Sequence, residues 1–440
     1  MDKLVIQGRH PLRGTLPVSG SKNTALPLMA GALLAEGKST LDNIPNLRDV
    51  TTFSHVLRIA GASVNFNSAE HRMEIDASGV DYPEAPYDLV KKMRASFYML
   101  GALIGRCGRA RVSLPGGCAW GPRPVDLHLK GMEALGAKIE LDQGYVVATA
   151  PGGRLDGGVF EMQPSSVGTT INLMLAAVTA RGSSRLENAA REPDVVVFGR
   201  MLQQMGARIE GLGSDTLEIE GVDTLNPVEF YNAPDRIELG TFMIAAAMAG
   251  EPGEPVHISN ADPDFLGDAF IDALAKTGTQ FTLGADYVDV IAPEELQPVS
   301  IVTGVYPGFP TDLQAQWTVL LTQANGNARV VDTIYYDRFK HIPELRRMAA
   351  NAIVIGNEVV VEGQNRLQGA TVMSTDLRAS VSLVLAGMVA EGETHVLRVY
   401  HLDRGYENLD GKLAAAGIQI RREEYDEFAD SVLEGHMTEA

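Results

Sequence analysis

The chain has 440 residues, of which 45% are hydrophobic, and its formal net charge is −19. This length is too great for one compact core and the hydrophobic fraction too high for a disordered chain, so two or more domains are expected. The acidic balance argues against nucleic acid and anionic membrane as general partners, because both bind basic surfaces.

Two features of the sequence favour a cytoplasmic protein. The first residues, MDKLVIQGRH, do not have the shape of a signal peptide, and the apolar stretch at 25–35 is too short, at 11 residues, to cross a bilayer. The two cysteines give no disulfide framework, which fits a reducing compartment. We therefore expect a cytoplasmic location without membrane attachment.

Taken in chain order, the predicted elements repeat with a period of about 70 residues. One pattern is an alanine-rich helix, a glycine that stops it in the left-handed conformation, and a strand-like segment. The other is an amphipathic helix, Gly-Ala or a close variant, and a strand-like alternation. The glycines of the first pattern are at 37, 108, 182, 250, 326 and 392, and the marker residues of the second are at 61, 136, 206, 278, 349 and 417.

The two patterns stay in step six times, which makes chance similarity among glycine-terminated helices the weaker explanation. Each unit is large enough to form a layer of helices on one face of a sheet, so an α/β fold is predicted. Three units plus three predict two similar domains with a ligand cleft between them. A closed ring of units would need the early strand LVIQG, at 4–8, to complete the last domain.

The first candidate site is the start of the first predicted helix, in the sequence SGSKNTALP. Lys22 and Asn23 fall at the helix mouth, where the positive end of the helix dipole disfavours a lysine. An anion that binds the free amide groups and the ammonium together would remove this conflict. The ending of a Walker A loop is missing, and a solvated lysine on a surface turn is an equally good interpretation.

The second candidate site is the loop LPGGCAWGPRPVD, which contains Cys118. Its glycines let one end move, and its prolines stiffen the other. Arg123 favours the thiolate, whereas an anionic ligand that neutralises Arg123 favours the thiol, so Cys118 could act as nucleophile or as proton donor. An exposed cysteine of no consequence is the alternative. No group of cysteines and histidines has the spacing of zinc ligands.

The third candidate site is the sequence FPTDLQAQ. Thr311 and Gln314 have the spacing of a capping box, which places Asp312 in a first helical turn, where a carboxylate is favoured. A helix-capping acid is therefore an adequate interpretation of Asp312. The similar sequence STDLRAS contains Asp376 and Arg378.

Several basic residues lie near the starts of predicted elements, although an arginine at a helix start is by itself usually a surface charge. If the ends of the units meet, these residues form a positive cleft on an acidic protein. Arginine forks bind phosphates and carboxylates, so the expected ligands carry several negative charges. The residues are Lys22, Arg94, Arg123, Arg338, Arg378 and Arg404.

The ordered set of motifs resembles the enolpyruvyltransferase family, in its branch that acts on UDP-N-acetylglucosamine. The resemblance runs from about residue 2 to 421, and the motifs are SGSKNTALP, MRAS, LPGGC, SVGTT, NAAREPD, PDRIELGTF, FPTDLQAQ, TDLRAS and HLDRGYE. It implies an inside-out α/β barrel of two domains, each with three repeated units. The implied domains are 22–232 and 1–21 plus 233–422, followed by an acidic C-terminal tail at 423–440.

The resemblance implies transfer of enolpyruvate from phosphoenolpyruvate to the 3′-hydroxyl of UDP-N-acetylglucosamine, with release of phosphate. This addition and elimination through a tetrahedral intermediate is the first committed step of peptidoglycan synthesis. By resemblance, Cys118 donates the proton to the methylene carbon, can form a covalent adduct with phosphoenolpyruvate, and is the target of fosfomycin. Asp312 is the favoured acceptor of the 3′-hydroxyl proton and Asp376 is a rival. We expect neither a metal ion nor a cofactor.

The resemblance also implies the substrate contacts, and it gives Lys22 and Arg404 a part in catalysis. Phosphoenolpyruvate would bind Lys22, Asn23, Arg123, Arg338, Arg378 and Arg404. The UDP sugar would bind Arg94, Arg123, Pro124, Val125, Asp126, Leu127, Asp312 and Ile334, with Ser166, Val167 and Gly168 near its diphosphate. Pro164 stands where many members carry a basic residue, which weakens the expected diphosphate contact.

Two alternative functions fit part of the sequence. The sister enzyme that uses shikimate 3-phosphate shares the fold and the donor but lacks the cysteine loop. A sugar-nucleotide-binding paralogue without activity would keep the arginines but lose the thiol or Asp312, and both are present here. The sequence leaves the oligomeric state open.

Overall fold

A computed structural model describes residues 2–91, 93–114 and 125–426. Within these ranges the strands are β1 (Asp2–Gln7), β2 (Gly14–Pro17), β3 (Lys38–Asp42), β4 (Ser63–Asn67), β5 (Arg72–Asp76), β6 (Glu84–Ala85), β7 (Arg109–Ser113), β8 (Lys138–Asp142), β9 (Tyr145–Thr149), β10 (Val159–Glu161), β11 (Ser183–Glu187), β12 (Arg208–Glu210), β13 (Thr216–Glu220), β14 (Glu229–Tyr231), β15 (Pro255–Ser259), β16 (Gln280–Leu283), β17 (Tyr287–Ile291), β18 (Ile301–Val302), β19 (Ala328–Val331), β20 (Ala352–Ile355), β21 (Glu358–Val361), β22 (Thr371–Met373), β23 (Glu393–Leu397) and β24 (Gln419–Glu424). The helices are α1 (Lys22–Gly31), α2 (Arg48–Ile59), α3 (Tyr87–Val90), α4 (Met99–Cys107), α5 (Asp126–Ala134), α6 (Val167–Ala177), α7 (Pro193–Gln204), α8 (Arg236–Ala249), α9 (Asp268–Lys276), α10 (Gln314–Gln323), α11 (Ile342–Arg347), α12 (Leu377–Val389) and α13 (Leu409–Ala415).

The described strands form six four-stranded sheets with one shared arrangement. In each sheet an edge strand runs parallel to its neighbour, and the other two pairings are antiparallel. The strand orders are β14-β3-β5-β4, β6-β7-β9-β8, β10-β11-β13-β12, β2-β15-β17-β16, β18-β19-β21-β20 and β22-β23-β1-β24. The repeat of six α/β units expected from the sequence is thus confirmed.

The first two strands complete sheets whose other strands come much later in the chain. Strand β1 pairs antiparallel with β23 and β24, so that Leu4 lies opposite Val396 on one side and Arg422 on the other. Strand β2 pairs parallel with β15, with Leu16 opposite Ile258. The first two strands therefore belong to sheets formed by residues 255–424.

Apolar side chains of the described residues are buried in two separate cores. One core extends from Ala25 to Val228, and the other combines Leu4–Val18 with Ile237–Ile418. Helix α6 is buried over Thr169–Ala177, and α1, α8, α10 and α12 are similarly enclosed. Apart from α10, which carries buried Gln and Thr residues, these helices consist mostly of small and apolar residues, which is the composition of a helix packed on all sides.

Four of the six glycines of the first pattern have the positive φ predicted for them. Gly108 follows α4 with φ 69°, and its amide donates to the carbonyl of Ile104 at 2.9 Å. The prediction is wrong for Gly182 and Gly250, which do not have positive φ. Their need for glycine is steric, because a Cβ would lie 2.8 Å from the carbonyl oxygen of Asp156 and 2.5 Å from that of Ala246, respectively.

The last strand extends slightly beyond the boundary placed at residue 422. Strand β24 ends at Glu424, and Glu423 and Glu424 pair with Lys3 and Asp2. The first residues assigned to the acidic tail are therefore part of a sheet, and residues 427–440 lie outside the described ranges.

Candidate functional site

The candidate residues lie at the starts of the buried central helices. Lys22 begins α1, Ser166 caps α6, and Asp376 caps α12. Asp312 lies in a 3₁₀ turn, Thr311–Leu313, that leads into α10, and Arg94 begins the 3₁₀ turn that leads into α4. Because the first amides of each helix have no partner within the helix, these starts favour anions.

Lys22 lies where the sequence predicted, at the mouth of α1. Ser21 caps this helix by accepting from the amide of Thr24 at 3.2 Å, and the backbone amide of Lys22 donates to Asp235 Oδ2 at 3.3 Å. The Lys22 ammonium lies 3.5 Å from the carboxylate of Asp49. Burial lowers the pKa of Lys22, and Asp49 opposes this change. Lys22 is therefore a largely buried cation paired with a carboxylate, and not a solvated surface charge.

Asp312 is bound by two arginines, one through each carboxylate oxygen. Arg338 donates from Nη2 to Oδ1 at 2.6 Å, and Arg378 donates from Nη2 to Oδ2 at 2.8 Å. Burial by itself would raise the pKa of Asp312, but Arg378 and Arg338 outweigh it and hold that pKa well below its ordinary value. With both arginines in place, Asp312 is a weak base.

The predicted capping box at Thr311 and Gln314 is wrong. No side chain caps the 3₁₀ turn, because the hydroxyl of Thr311 donates to Asp332 Oδ2 at 2.6 Å and accepts from Arg338 Nη1 at 2.7 Å. Asp312 does fall in the first turn, as expected. Asp332 also accepts from the backbone amide of Ile334 at 2.9 Å, so one buried carboxylate fixes the loop that carries Ile334.

The rival carboxylate, Asp376, is engaged in capping a helix. Its Oδ1 accepts from the amides of Arg378 at 2.9 Å and Ala379 at 3.1 Å, and its Oδ2 accepts from the hydroxyl of Thr375 at 3.1 Å. These contacts use the side chain as an N-cap, the role that aspartate commonly has at this position.

Arg404 reaches from one core to the other. Arg404 is the last residue of the short helix Val399–Arg404, whose Val399 and Leu402 are buried. Its Nε donates to Asp49 Oδ1 at 2.9 Å. Asp49 belongs to α2 of the first core, so it contacts both Lys22 and Arg404. Arg378 and Arg404 also lower the pKa of Lys22, and Asp312 raises it.

Two carboxylates partly compensate the positive charge that the sequence predicted for the cleft. Asp49 pairs with two of the cations and Asp312 with two more. Buried charges require such partners, because an isolated ion loses its hydration without compensation.

The expected diphosphate loop lies beside a buried histidine. Gly168 approaches the ring of His128, which accepts at Nδ1 from the side-chain amide of Asn172 at 3.0 Å. Burial, together with Arg94, lowers the pKa of His128 to about 3. His128 is therefore neutral at physiological pH, and Arg94 supplies the positive charge here.

Some of the expected contacts lie outside this cluster or outside the described residues. Cys118, Arg123 and Pro124 lie in the segment that the structure leaves undescribed. Beyond it, Val125 and Leu127 are half-buried, and Asp126 is exposed and lies 3.6 Å from Lys130. Asn23, Ser166 and Val167 are half-buried at their helix starts, as is Gly168.

Residues that sequence reasoning missed join the two cores. Asp194 Oδ1 accepts from the hydroxyls of Ser21 at 3.3 Å and Thr24 at 3.0 Å, while its Oδ2 accepts from Arg236 Nε at 3.1 Å. Asp49, Asp194 and Asp332 all interact with elements of the site. In the sequence, however, each is simply an acidic residue near the end of a helix or strand, where acids are common.

The described ranges contain no group of three or more His, Cys, Asp or Glu residues arranged to hold a metal ion. In those same ranges, no helix is long and apolar enough to cross a membrane.

Comparisons with known proteins agree on one family. The family model described as EPSP synthase (3-phosphoshikimate 1-carboxyvinyltransferase) matches residues 6–413. The UDP-N-acetylglucosamine 1-carboxyvinyltransferase of Chloroherpeton thalassium is 50% identical over 434 residues, which cover 98% of this chain and 100% of that protein. The protein of the same name from Chlorobaculum parvum is 51% identical over 430 residues, with the same coverage.

Solved structures support the same fold. The enolpyruvyl transferase NikO from Streptomyces tendae has a TM-score of 0.87 and 27% identity, and the match covers 97% of this chain and 99% of that one. EPSP synthase from Acinetobacter baumannii has a TM-score of 0.75 over 96% of this chain and 100% of that one. At its 17% identity, that likeness shows the fold alone. These neighbours confirm the predicted two-domain α/β architecture.

Proposed function

This chain belongs to the EPSP synthase (3-phosphoshikimate 1-carboxyvinyltransferase) family, and from that membership we propose that it transfers enolpyruvate from phosphoenolpyruvate to the 3′-hydroxyl of UDP-N-acetylglucosamine, with release of phosphate. About half of its residues are identical to those of relatives named for this acceptor, over nearly their full length. Such a reaction begins peptidoglycan synthesis.

One observation carries the proposal from the structure: four cations gather around two carboxylates, and two of them, Lys22 and Arg378, lie in the first turns of buried helices. Lys22 and Arg404 contact one carboxylate, and Arg338 and Arg378 contact another. Both proposed substrates are polyanions, since phosphoenolpyruvate has a phosphate and a carboxylate and the acceptor has a diphosphate. Bidentate arginines and helix starts suit these groups.

We assign the donor to Lys22, Asn23, Arg123, Arg338, Arg378 and Arg404. The phosphate of phosphoenolpyruvate can compete with Asp312 for its two arginines. Loss of an arginine contact raises the basicity of a carboxylate. Asp312 would then accept the proton of the 3′-hydroxyl while the oxygen of that hydroxyl attacks the substituted carbon of the donor.

We assign the matching proton delivery to Cys118, whose thiol would protonate the methylene carbon as the carbon–oxygen bond forms. In the elimination step the same carbon returns a proton to Cys118 and phosphate leaves, so that the double bond forms again in the product. Asp376 is the second candidate for the base, although its side chain caps α12.

The nucleotide sugar is assigned to residues of the first half and to one loop of the second. Its proposed contacts are Arg94, Arg123 to Leu127, Ser166 to Gly168, Asp312 and Ile334. The two buried cores support division into domains 22–232 and 1–21 plus 233–422, with substrates between them. We also propose a cytoplasmic location, since two cysteines offer no disulfide framework.

The test is phosphate release from phosphoenolpyruvate, with UDP-N-acetylglucosamine or shikimate 3-phosphate as the acceptor. Wild type is expected to release phosphate only with the nucleotide sugar, and Cys118→Ser to lose most of this activity. Turnover with shikimate 3-phosphate would assign the sister activity, and binding of the nucleotide sugar without turnover would indicate a paralogue that has lost catalysis.

A further inference from the structure

Asp49 links the two cores through ion pairs with residues far apart in the chain. It is only 4% exposed, and Arg404 is 355 residues away in sequence. Arg404 donates to Oδ1 from Nε at 2.9 Å and to Oδ2 from Nη2 at 3.4 Å, while Lys22 Nζ lies 3.5 Å from the same Oδ2. One buried carboxylate thus binds one cation from each half.

We propose that Asp49 is a positioning residue, which aims the Lys22 ammonium and the Arg404 guanidinium at one anionic group of the enolpyruvyl donor. The inference rests on the proposed function, because that function assigns both cations to phosphoenolpyruvate. It adds a residue outside the set of substrate contacts, which acts through Lys22 and Arg404.

The geometry explains why a carboxylate is needed at this point. Two buried cations near each other repel, and each loses hydration that only an anion can replace. Carboxylate and phosphate oxygens present similar acceptors to an arginine fork and to an ammonium. Asp49 therefore keeps the two cations close together and directed at one place, so that a phosphate meets a preformed pair.

The charges around Lys22 give this role a measurable signature. Burial lowers the pKa of Lys22, Asp49 is the strongest group that raises it, Arg378 and Arg404 lower it, and Asp312 raises it weakly. Asp235 also accepts from the backbone amide of Lys22. Without the charge of Asp49, Lys22 would lose its proton at a lower pH, and donor binding would weaken as the pH rises.

A purely structural role for Asp49 predicts a different result. Asp49 lies in the first turn of α2, where any carboxylate stabilises the helix by about 0.3–1 kcal/mol. Loss of that contribution would lower thermal stability without changing a pH profile. Asp268, an exposed acid in the first turn of α9, supplies the matched control.

The experiment compares Asp49→Asn, Asp49→Glu and Asp268→Asn with wild type. It measures kcat/KM for phosphoenolpyruvate against pH at saturating UDP-N-acetylglucosamine, the two KM values, and thermal unfolding. Asp49→Asn is expected to lower kcat/KM by roughly 10- to 100-fold, mainly by raising KM for phosphoenolpyruvate. In Asp49→Asn, the decrease of kcat/KM on the alkaline side of the pH profile (the alkaline limb) should begin at a lower pH. Asp49→Glu and Asp268→Asn should keep the alkaline limb of the wild type.

Each outcome decides between the two proposals. A wild type without turnover contradicts the proposed function itself. An active wild type whose Asp49→Asn variant keeps the same limb and the same KM for phosphoenolpyruvate contradicts only the role of Asp49. If Asp49→Asn does not fold, the folded Asp49→Glu variant decides, because a displaced alkaline limb despite the retained charge would overturn the inference.

Discussion

Arg378 donates a 2.8 Å hydrogen bond to Asp312, although the two residues lie 66 positions apart and at the starts of different central helices. Arg338 binds the other oxygen of the same carboxylate at 2.6 Å. This arrangement keeps Asp312 ionised and engages both of its carboxylate oxygens in hydrogen bonds with arginines. A group of this kind becomes an effective base only when its arginines turn to another anion, so donor binding and base activation would be coupled.

Replacement of Asp312 by asparagine should remove most of the catalysis, and it should also lower stability because two buried arginines lose their charged partner. A general base contributes about 10²- to 10⁴-fold, so we expect kcat for Asp312→Asn to fall at least 100-fold. Phosphate release measures this loss, and thermal unfolding checks the fold. Asp289→Asn is the control, because the carboxylate of Asp289 pairs with His257 across strands β15 and β17 and contacts none of the site arginines that the structure describes. Activity of Asp312→Asn within a few-fold of wild type would exclude Asp312 as the base.

Asp376 can be tested separately, because asparagine caps helices about as well as aspartate. If Asp376 serves only as the cap of α12, Asp376→Asn should keep wild-type activity and stability. Asp376→Ala should lose about 1 kcal/mol of unfolding free energy. Urea unfolding and phosphate release distinguish the variants. A stable Asp376→Asn variant without activity would instead make Asp376 the catalytic base.

Two buried histidines should make the protein sensitive to mild acid. Burial lowers the pKa of His128 and of His341 to about 3, against about 6.5 in an unfolded chain. Between these pH values only the unfolded state binds a proton at each histidine. The histidines' contribution to the free energy of unfolding is therefore fully present above about pH 6.5 and decreases as the pH falls toward 3. Each histidine contributes at most about 1.4 kcal/mol per pH unit.

Urea unfolding at several pH values between 7.5 and 4.5 measures this slope. His128→Gln should flatten it, and His55→Gln, at an exposed position, should not. An unchanged slope in His128→Gln would mean that folding does not lower the pKa of His128.

Fosfomycin should modify Cys118 and leave the other cysteine free. Burial raises the pKa of the Cys107 thiol, which makes it a poor nucleophile at neutral pH. Mass spectrometry is expected to find one adduct on wild type and on Cys107→Ser, and none on Cys118→Ser. An adduct that persists in Cys118→Ser would remove Cys118 from its proposed role. Cys118→Asp should also escape modification.

The sequence predicted the repeated architecture because its signals are local. Glycine stops, apolar helices and alternating strands recur in each unit, and α1 begins at Lys22 as expected. Where the prediction failed, tertiary contacts had replaced a local one. The hydroxyl of Thr311 binds Asp332 and Arg338 rather than capping a helix.

The ion pairs of the site could not be predicted in the same way. Asp49 and Asp194 lie in first helical turns, where an acid needs no further explanation. Their partners Arg404 and Arg236 are distant in sequence, and no local spacing connects them. The sequence identifies the cations but leaves open which carboxylates hold them.

The pairing of β1 with β23 and β24 has a consequence for biosynthesis. Strand β1 must wait for partners that are translated almost four hundred residues after it. The sheets of residues 38–231 have all their strands in that stretch and can assemble during translation. The other half can close only after β24 has been synthesised, so a product truncated before that strand would expose unpaired strand edges to aggregation.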